Sequence, residues 1–277
     1  MRIVSRRMTD LAQSEIRAMT QACIHAQGLN MAQGVCDTPV PPIVLEGAER
    51  AIRDGYNVYT RFDGLPDLRQ AIAEKLERYN RMKADPESNI TVSAGATGAF
   101  HSACAALLNP GDEVILFEPY YQYHISALVA VEAVPVAVSM QPPAWVYSMA
   151  QLEEVVTPRT KALIVNSPGN PSGKVYSLSE LEALAEFACR HDLFVLTDEI
   201  YEYFLYDGRC HISMASLPEM AERTITIGGY SKTFSVTGWR IGYTAASGEF
   251  GLGSGDASKK EPFWWLTPAL VSRCLEP

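Results

Sequence analysis

The sequence holds 277 residues, 47% apolar and 20% charged, a balance that builds a packed core and excludes a disordered chain. Acidic residues outnumber basic ones 32 to 23, for a formal charge of −9, so the basic footprint of a nucleic-acid binder is missing. No apolar run approaches the roughly 18 residues of a membrane span, and the longest, 127–138, is broken by Glu132 and Pro135.

No apolar stretch follows the basic first seven residues, so no secretory signal is expected. Residues 43–54 and 66–82 are predicted helices. The second opens at Pro66 and Asp67, where proline suits the first turn and aspartate the positive helix end. Its apolar residues Leu68, Ile72, Ala73 and Leu76 recur at helical spacing. A short strand over 90–93 runs into the small residues Ala94, Gly95, Ala96, Thr97 and Gly98, which open a helix over 97–108. Strand 113–117, helix 121–131, strand 133–138 and strand 161–166 follow. Helix 177–191 is capped by Ser177 or Ser179, with Glu180 and Glu182 in its first turn. Strands 193–197, 224–227 and 240–244 complete the pattern. Short apolar runs alternating with helices predict an α/β fold, a mostly parallel sheet sandwiched by helices. Residues 247–277 read as an irregular tail, with glycines at 248, 251, 253 and 255 and aromatics clustered without period at 263–265.

Cysteines at 23, 36, 104, 189, 210 and 274 form no close pair, and histidines at 25, 101, 124, 191 and 211 show no ligand spacing. This predicts buried free thiols in a reducing cytoplasm and no metal site. Several nucleotide and hydrolase motifs also fail. The segment from Gly169 to Lys174 is one residue short of a P-loop and lacks its hydroxyl. Gly251, Gly253 and Gly255 follow no strand, so they are not a dinucleotide fingerprint. No GxSxG elbow occurs.

Four segments point toward chemistry. Gly95, Ala96 and Thr97 sit where a strand meets a helix; small residues there suit either close packing at a turn or an anion on free N–H groups. Asn166, Asn170, Pro171 and Gly173 follow a strand, as a plain turn or as a stiff loop presenting the Asn170 amide. Asp198 and Tyr201 lie at the carboxyl end of an apolar strand, the end that faces the ligand crevice in open α/β sheets. Aspartate there serves either a cationic ligand or a helix cap. Lys232 stands between a strand and the aromatic stretch ending in Gly238, Arg240 and Gly242; taken alone it reads as a surface charge, and beside the other three segments as a desolvated amine nucleophile.

Taken in series, Gly95-Ala96-Thr97, Asn170-Pro171-x-Gly173, Asp198-x-x-Tyr201 and Ser231-Lys232 with Gly238, Arg240 and Gly242 resemble the class I and II aminotransferases, which are fold-type-I pyridoxal-phosphate enzymes. The match runs from about residue 10 to residue 246. The resemblance implies a pyridoxal 5'-phosphate cofactor and an exchange of amino groups between an amino acid and a 2-oxo acid. It implies that Lys232 binds the cofactor and moves protons, Asp198 pairs with the pyridinium nitrogen, and Asn170 and Tyr201 bond the ring's phenolic oxygen. It implies further that Arg240 and the backbone at Gly95, Ala96 and Thr97, with the Thr97 hydroxyl, hold the phosphate. Tyr121 resembles the aromatic that stacks on the ring. Tyr59 resembles the tyrosine that reaches a neighbouring subunit's phosphate, implying a homodimer, and Gly34 resembles the glycine beside the substrate, where Asn170 also lies.

Two departures accompany the resemblance. Many relatives carry a phosphate-binding serine three residues before the lysine; here it is Gly229, and Ser231 is the nearest substitute. The family's chain also continues into a small C-terminal domain carrying the arginine that grips the substrate carboxylate. The resemblance stops at Ala246, and Arg273 stands in no matching context. The expectation is therefore an N-terminal arm with the substrate loop over 1–40, a cofactor-binding large domain over 41–246, and a tail over 247–277 replacing the small domain after a truncation or frameshift, with activity impaired. A β-lyase or an aminocyclopropane-carboxylate-synthase-like enzyme shares Lys232, Asp198 and Arg240. A non-catalytic remnant is the reading outside enzyme chemistry.

Overall fold

The computed structural model describes residues 5, 7 and 15–247. Seven strands form one sheet: β1 (Ile90–Ala94), β2 (Glu113–Glu118), β3 (Val134–Ser139), β4 (Thr160–Asn166), β5 (Phe194–Asp198), β6 (Thr224–Gly229) and β7 (Ile241–Ala245), in the order β1-β7-β6-β5-β4-β2-β3. The run from β3 to β6 is parallel, as the alternation of strands and helices predicts. β7 is the exception, antiparallel to both β6 and β1. A parallel partner needs a crossover of a dozen or more residues, whereas an antiparallel one closes over a shorter connection. The stretch between Gly229 and Ile241 contains only a single 3₁₀ turn, Thr237–Trp239.

The helices are α1 (Glu15–His25), α2 (Pro42–Arg53), α3 (Pro66–Lys75), α4 (Gly95–Leu107), α5 (Gln122–Ala130), α6 (Met149–Val155) and α7 (Leu178–Arg190). Period-two alternation along the strands feeds two faces. On one, Leu163, Val165 and Val195 pack with Leu181, Leu184 and Phe187 of α7 and Leu152 of α6. On the other, Ile164, Leu196, Ile225 and Ile227 pack with Phe100 and Cys104 of α4 and Leu128 of α5. Full burial of one such side chain contributes about 1.5–3 kcal/mol. A third cluster joins α3 to β1 and β7 through Leu68, Ile72, Val92 and Tyr243.

Ser177, rather than Ser179, caps α7. Its hydroxyl accepts from Glu180 N while the Glu180 carboxylate accepts from Ser177 N, a reciprocal capping box. The helix predicted over 66–82 departs from expectation: α3 ends at Lys75 and continues as a π-turn over Leu76–Asn80, closed by Arg81 at φ 57°. Buried Asn80 donates to Glu199, Glu202 and Ser213, and the widened turn accommodates those tertiary bonds. α1 and α6 carry no sequence prediction: α1 has no buried residue and α6 buries only Leu152.

The expectation that the cysteines are buried needs correcting. Cys104 is buried, and desolvation pushes its thiol up to about 12. Cys23, Cys36 and Cys189 are half-buried and Cys210 is exposed, because Cys23 sits on a helix without a buried face and Cys210 lies in a connecting loop. Among the described residues no helix is long and apolar enough to cross a membrane. The predicted tail, 247–277, lies outside the described residues except for Ser247.

Candidate active site

Asn166 ends β4, Asp198 ends β5, Lys232 follows β6, and Arg240 immediately precedes β7. All four border a cavity of about 560 Å³ at the carboxyl edge of the parallel strands, roofed in part by α1. Ala96, Thr97, Tyr121, Asn170 and Tyr201 line the same cavity, as does Gly34 from the loop after α1.

Asp198 is held from three directions. His124 Nε2 donates to its Oδ2 at 2.9 Å, and Oδ1 accepts from Ile200 N at 3.2 Å. Asn166 Nδ2 donates to its carbonyl at 3.0 Å. The His124 ring is clamped by Phe100, centroids 4.5 Å apart, and meets Tyr121 edge-on at 5.5 Å. Asn166 also fixes the next loop, its Oδ1 accepting from Asn170 N at 2.8 Å.

The phenol of Tyr201 is raised by burial and by the charge of Asp198, against the opposing pull of its hydrogen bond with the Asn170 side chain. Lys232 Nζ lies 5.8 Å from the Tyr201 ring centre. Burial, with smaller effects of Tyr123 and Asp198, pushes Tyr121 up to about 12, so Tyr121 is a neutral wall of the cavity.

At the other end, Gly95 adopts φ 73°, and a Cβ there would collide with the Arg240 guanidinium. A Cβ on Gly242 would collide with the Gly95 carbonyl carbon and Ala96 N. The two glycines therefore let β7 press Arg240 against the first turn of α4. No side chain caps that helix, so its leading N–H groups and a guanidinium converge, a pairing suited to a phosphate. Arg240 Nη1 donates to Thr237 O at 3.0 Å, and Thr237 Oγ1 to Ser231 O at 2.9 Å, which ties the lysine loop to the arginine.

Gly229, in the place of the family's serine, has its own explanation. A Cβ there would stand 3.0 Å from both Ile200 Cδ1 and the Ile241 carbonyl. Ser231 instead lines the cavity. Of the residues expected at the site, Tyr59 is not brought in: it is fully exposed and lines no part of the cavity. His124 and the anchoring role of Asn166 were missed; the usable signal for His124 was its place three residues after Tyr121, one turn along the same segment.

The sequence model of the family described as aminotransferase class I and II matches residues 26–258. An aspartate aminotransferase of Pyrococcus abyssi is 42% identical over 219 residues, 79% of this chain and 56% of the relative. An aromatic-amino-acid aminotransferase of Thermococcus litoralis is 38% identical, covering 88% of this chain and 63% of its own. The solved N-succinyldiaminopimelate aminotransferase of Mycobacterium tuberculosis superposes with a TM-score of 0.91 at 35% identity, over 99% of this chain and 71% of that one. The chain thus spans 56% and 63% of the length of these two curated relatives.

Proposed function

The chain belongs to the class I and II aminotransferase family, and from that premise we propose that it binds pyridoxal 5'-phosphate in the cavity between α4 and the ends of β4, β5 and β6 to move amino groups between an amino acid and a 2-oxo acid. The convergence of Arg240 with the uncapped start of α4, opposite the His124-held carboxylate of Asp198, carries this reading. A bound pyridoxal phosphate would supply a carbonyl for condensation with an amine and a ring that accepts the electrons left by Cα–H cleavage.

Each residue has a task that fits its surroundings. Arg240, the N–H groups at Gly95, Ala96 and Thr97, and the Thr97 hydroxyl hold the phosphate. Asp198 keeps the ring nitrogen protonated, and His124 keeps Asp198 oriented. Asn170 and Tyr201 would donate to the phenolic oxygen, and Tyr121 would supply an aromatic wall for the ring. Lys232 provides the anchoring amine and then the base that moves a proton at the substrate Cα. Gly34 leaves room for substrate beside Asn170. Tyr59, projecting free of its own subunit, suits a phosphate contact across a homodimer. We also propose a cytoplasmic location. The three relatives reported above are all named aminotransferases, which sets transamination ahead of the β-lyase, cyclopropane-forming and remnant readings.

Cofactor trapping tests the proposal. The purified chain is incubated with pyridoxal phosphate, reduced with borohydride, and mapped by peptide mass spectrometry. A single adduct on Lys232, diminished by Asp198→Ala, is expected. Label spread over surface lysines would overturn the assignment.

A further inference from the structure

The turn that presents Asp198 and Tyr201 has a second side. Asp198, Ile200 and Tyr201 line the cavity, whereas Glu199 and Glu202 do not and are buried, at 2% and 3% exposure. Glu199 accepts from His211 Nε2 at 2.8 Å, Ser213 Oγ at 2.6 Å and Asn80 Nδ2 at 3.2 Å. Glu202 accepts from Asn80 Nδ2 at 2.9 Å and pairs with Lys75, whose Nζ also reaches Tyr243 Oη at 3.2 Å. Tyr79 Oη donates to the Glu202 carbonyl at 2.8 Å. Three of the five residues from 198 to 202 therefore serve the cavity while Glu199 and Glu202 are bolted to α3, its π-turn and the loop that returns through His211.

The charges of this cluster balance only with a protonated imidazole: Glu199 and Glu202 against Lys75 and His211. The His211 side chain is 1% exposed, so an unbalanced charge there is not relieved by water. Burial is the largest influence on both members of the Glu199–His211 pair and opposes their charges. The partner's charge, the hydrogen bonds between them and from Ser213, and the charges of Lys75 on Glu199 and Glu202 on His211 together outweigh it: the carboxyl sits below its usual range and the imidazole above. The other groups facing His211 are Lys75, Glu202, the Tyr79 ring stacked at 6.4 Å, and neighbouring Cys210. Tyr203, Tyr230 and Tyr243 close the shell around the carboxylates, and burial moves all three phenols upward, away from neutrality. The imidazole is the group whose ordinary range lies near neutral pH.

We propose that protonated His211, through its ion pair with Glu199, is a positioning residue that locks the Asp198–Tyr201 turn in its cofactor-binding arrangement, and that loss of the proton on Nδ1, which has no hydrogen-bond partner, removes the charge pairing while keeping the Nε2–H bond and so loosens the turn. This rests on the reading that pyridoxal phosphate occupies the cavity. The sign follows from linkage. A group whose native pKa is raised contributes fully below its unfolded pKa, and the contribution is lost as pH rises through the native value. Cofactor affinity is thus held on the acid side and falls toward alkaline pH.

Two measurements on the full chain decide it: amide hydrogen exchange of residues 198–204 without cofactor, and the pyridoxal phosphate dissociation constant by fluorescence quenching, each between about pH 6 and pH 9. In the unmodified protein, protection and affinity should fall by about tenfold across the imidazole transition. His211→Gln should show the weakened values throughout. A double variant, Glu199→Gln with His211→Gln, removes the buried charge together with its partner and should regain protection without a pH step. A flat protection profile in the unmodified protein, or a pH step that survives in His211→Gln, would overturn the lock. If no cofactor binds, the functional reading fails while the exchange profile still decides the lock. If His211→Gln does not fold, the unmodified profile and the double variant decide it.

Discussion

His124 and Asp198, 74 positions apart, meet at 2.9 Å through Nε2 and Oδ2, with the imidazole pinned between Phe100 and Tyr121. The bond selects one orientation of a buried carboxylate. Replacing His124 by Phe preserves the ring packing and removes the donor, leaving the carboxylate short of a partner at a cost of about 1–3 kcal/mol. Pyridoxal phosphate should bind about tenfold or more weakly, measured by fluorescence titration, with the fold retained by circular dichroism.

Gly95→Ala should separate phosphate binding from ring binding. The methyl drives into the Arg240 guanidinium, and φ 73° strains any side chain. Affinity for pyridoxal phosphate should fall to about that for pyridoxal, whose own affinity hardly changes. Equal losses for both ligands would mean that the Arg240 cradle is not the phosphate site.

These arrangements were unequally legible in the sequence. Strands such as β4 and β5 are short apolar runs because both faces are covered, so their existence follows from composition, and the Ser177–Glu180 box is a local bond that local sequence specifies. The direction of β7 was not legible, since apolar alternation is the same for either polarity. Nor was the π-turn at Leu76–Asn80, whose cause lies more than a hundred residues away in Glu199, Glu202 and Ser213. At the site, Lys232, Asp198, Asn170 and Arg240 could be picked out by motif spacing, while His124 acquires its part only through a tertiary contact. The Gly229 position looks like a missing phosphate ligand in sequence and proves to be a close approach of β6 to Ile200 and β7.

The thiols should differ in reactivity. Hydrogen bonds from Ser235 and Thr38 hold Cys36 below the ordinary thiol range, whereas burial holds Cys104 at about 12. A lowered pKa keeps thiolate present as pH falls, so Cys36 should alkylate with iodoacetamide at a pH where an ordinary thiol has slowed, and Cys104 should stay unlabelled in the native protein. Ser235→Ala should shift the Cys36 rate profile toward higher pH, read by mass spectrometry of labelled peptides.

Leu196→Ala opens a cavity at the centre of the sheet, on the face covered by α4 and α5. It should destabilise the protein by about 2–5 kcal/mol, measured by urea unfolding. Leu178→Ala, at an exposed position on α7, should change stability by no more than about 0.5 kcal/mol.

The reversal of β7 has a consequence for length. Gly229 and Gly242 face each other across adjacent strands, so the segment from 230 to 240 is a closed loop with both ends fixed, and the amine of Lys232 and the guanidinium of Arg240 ride on it. An added or lost residue within that loop leaves every strand paired yet displaces one functional group relative to the other. The spacing of Lys232 from Arg240 is therefore fixed by the number of residues between them, and a one-residue insertion or deletion there should abolish cofactor binding while the sheet still forms.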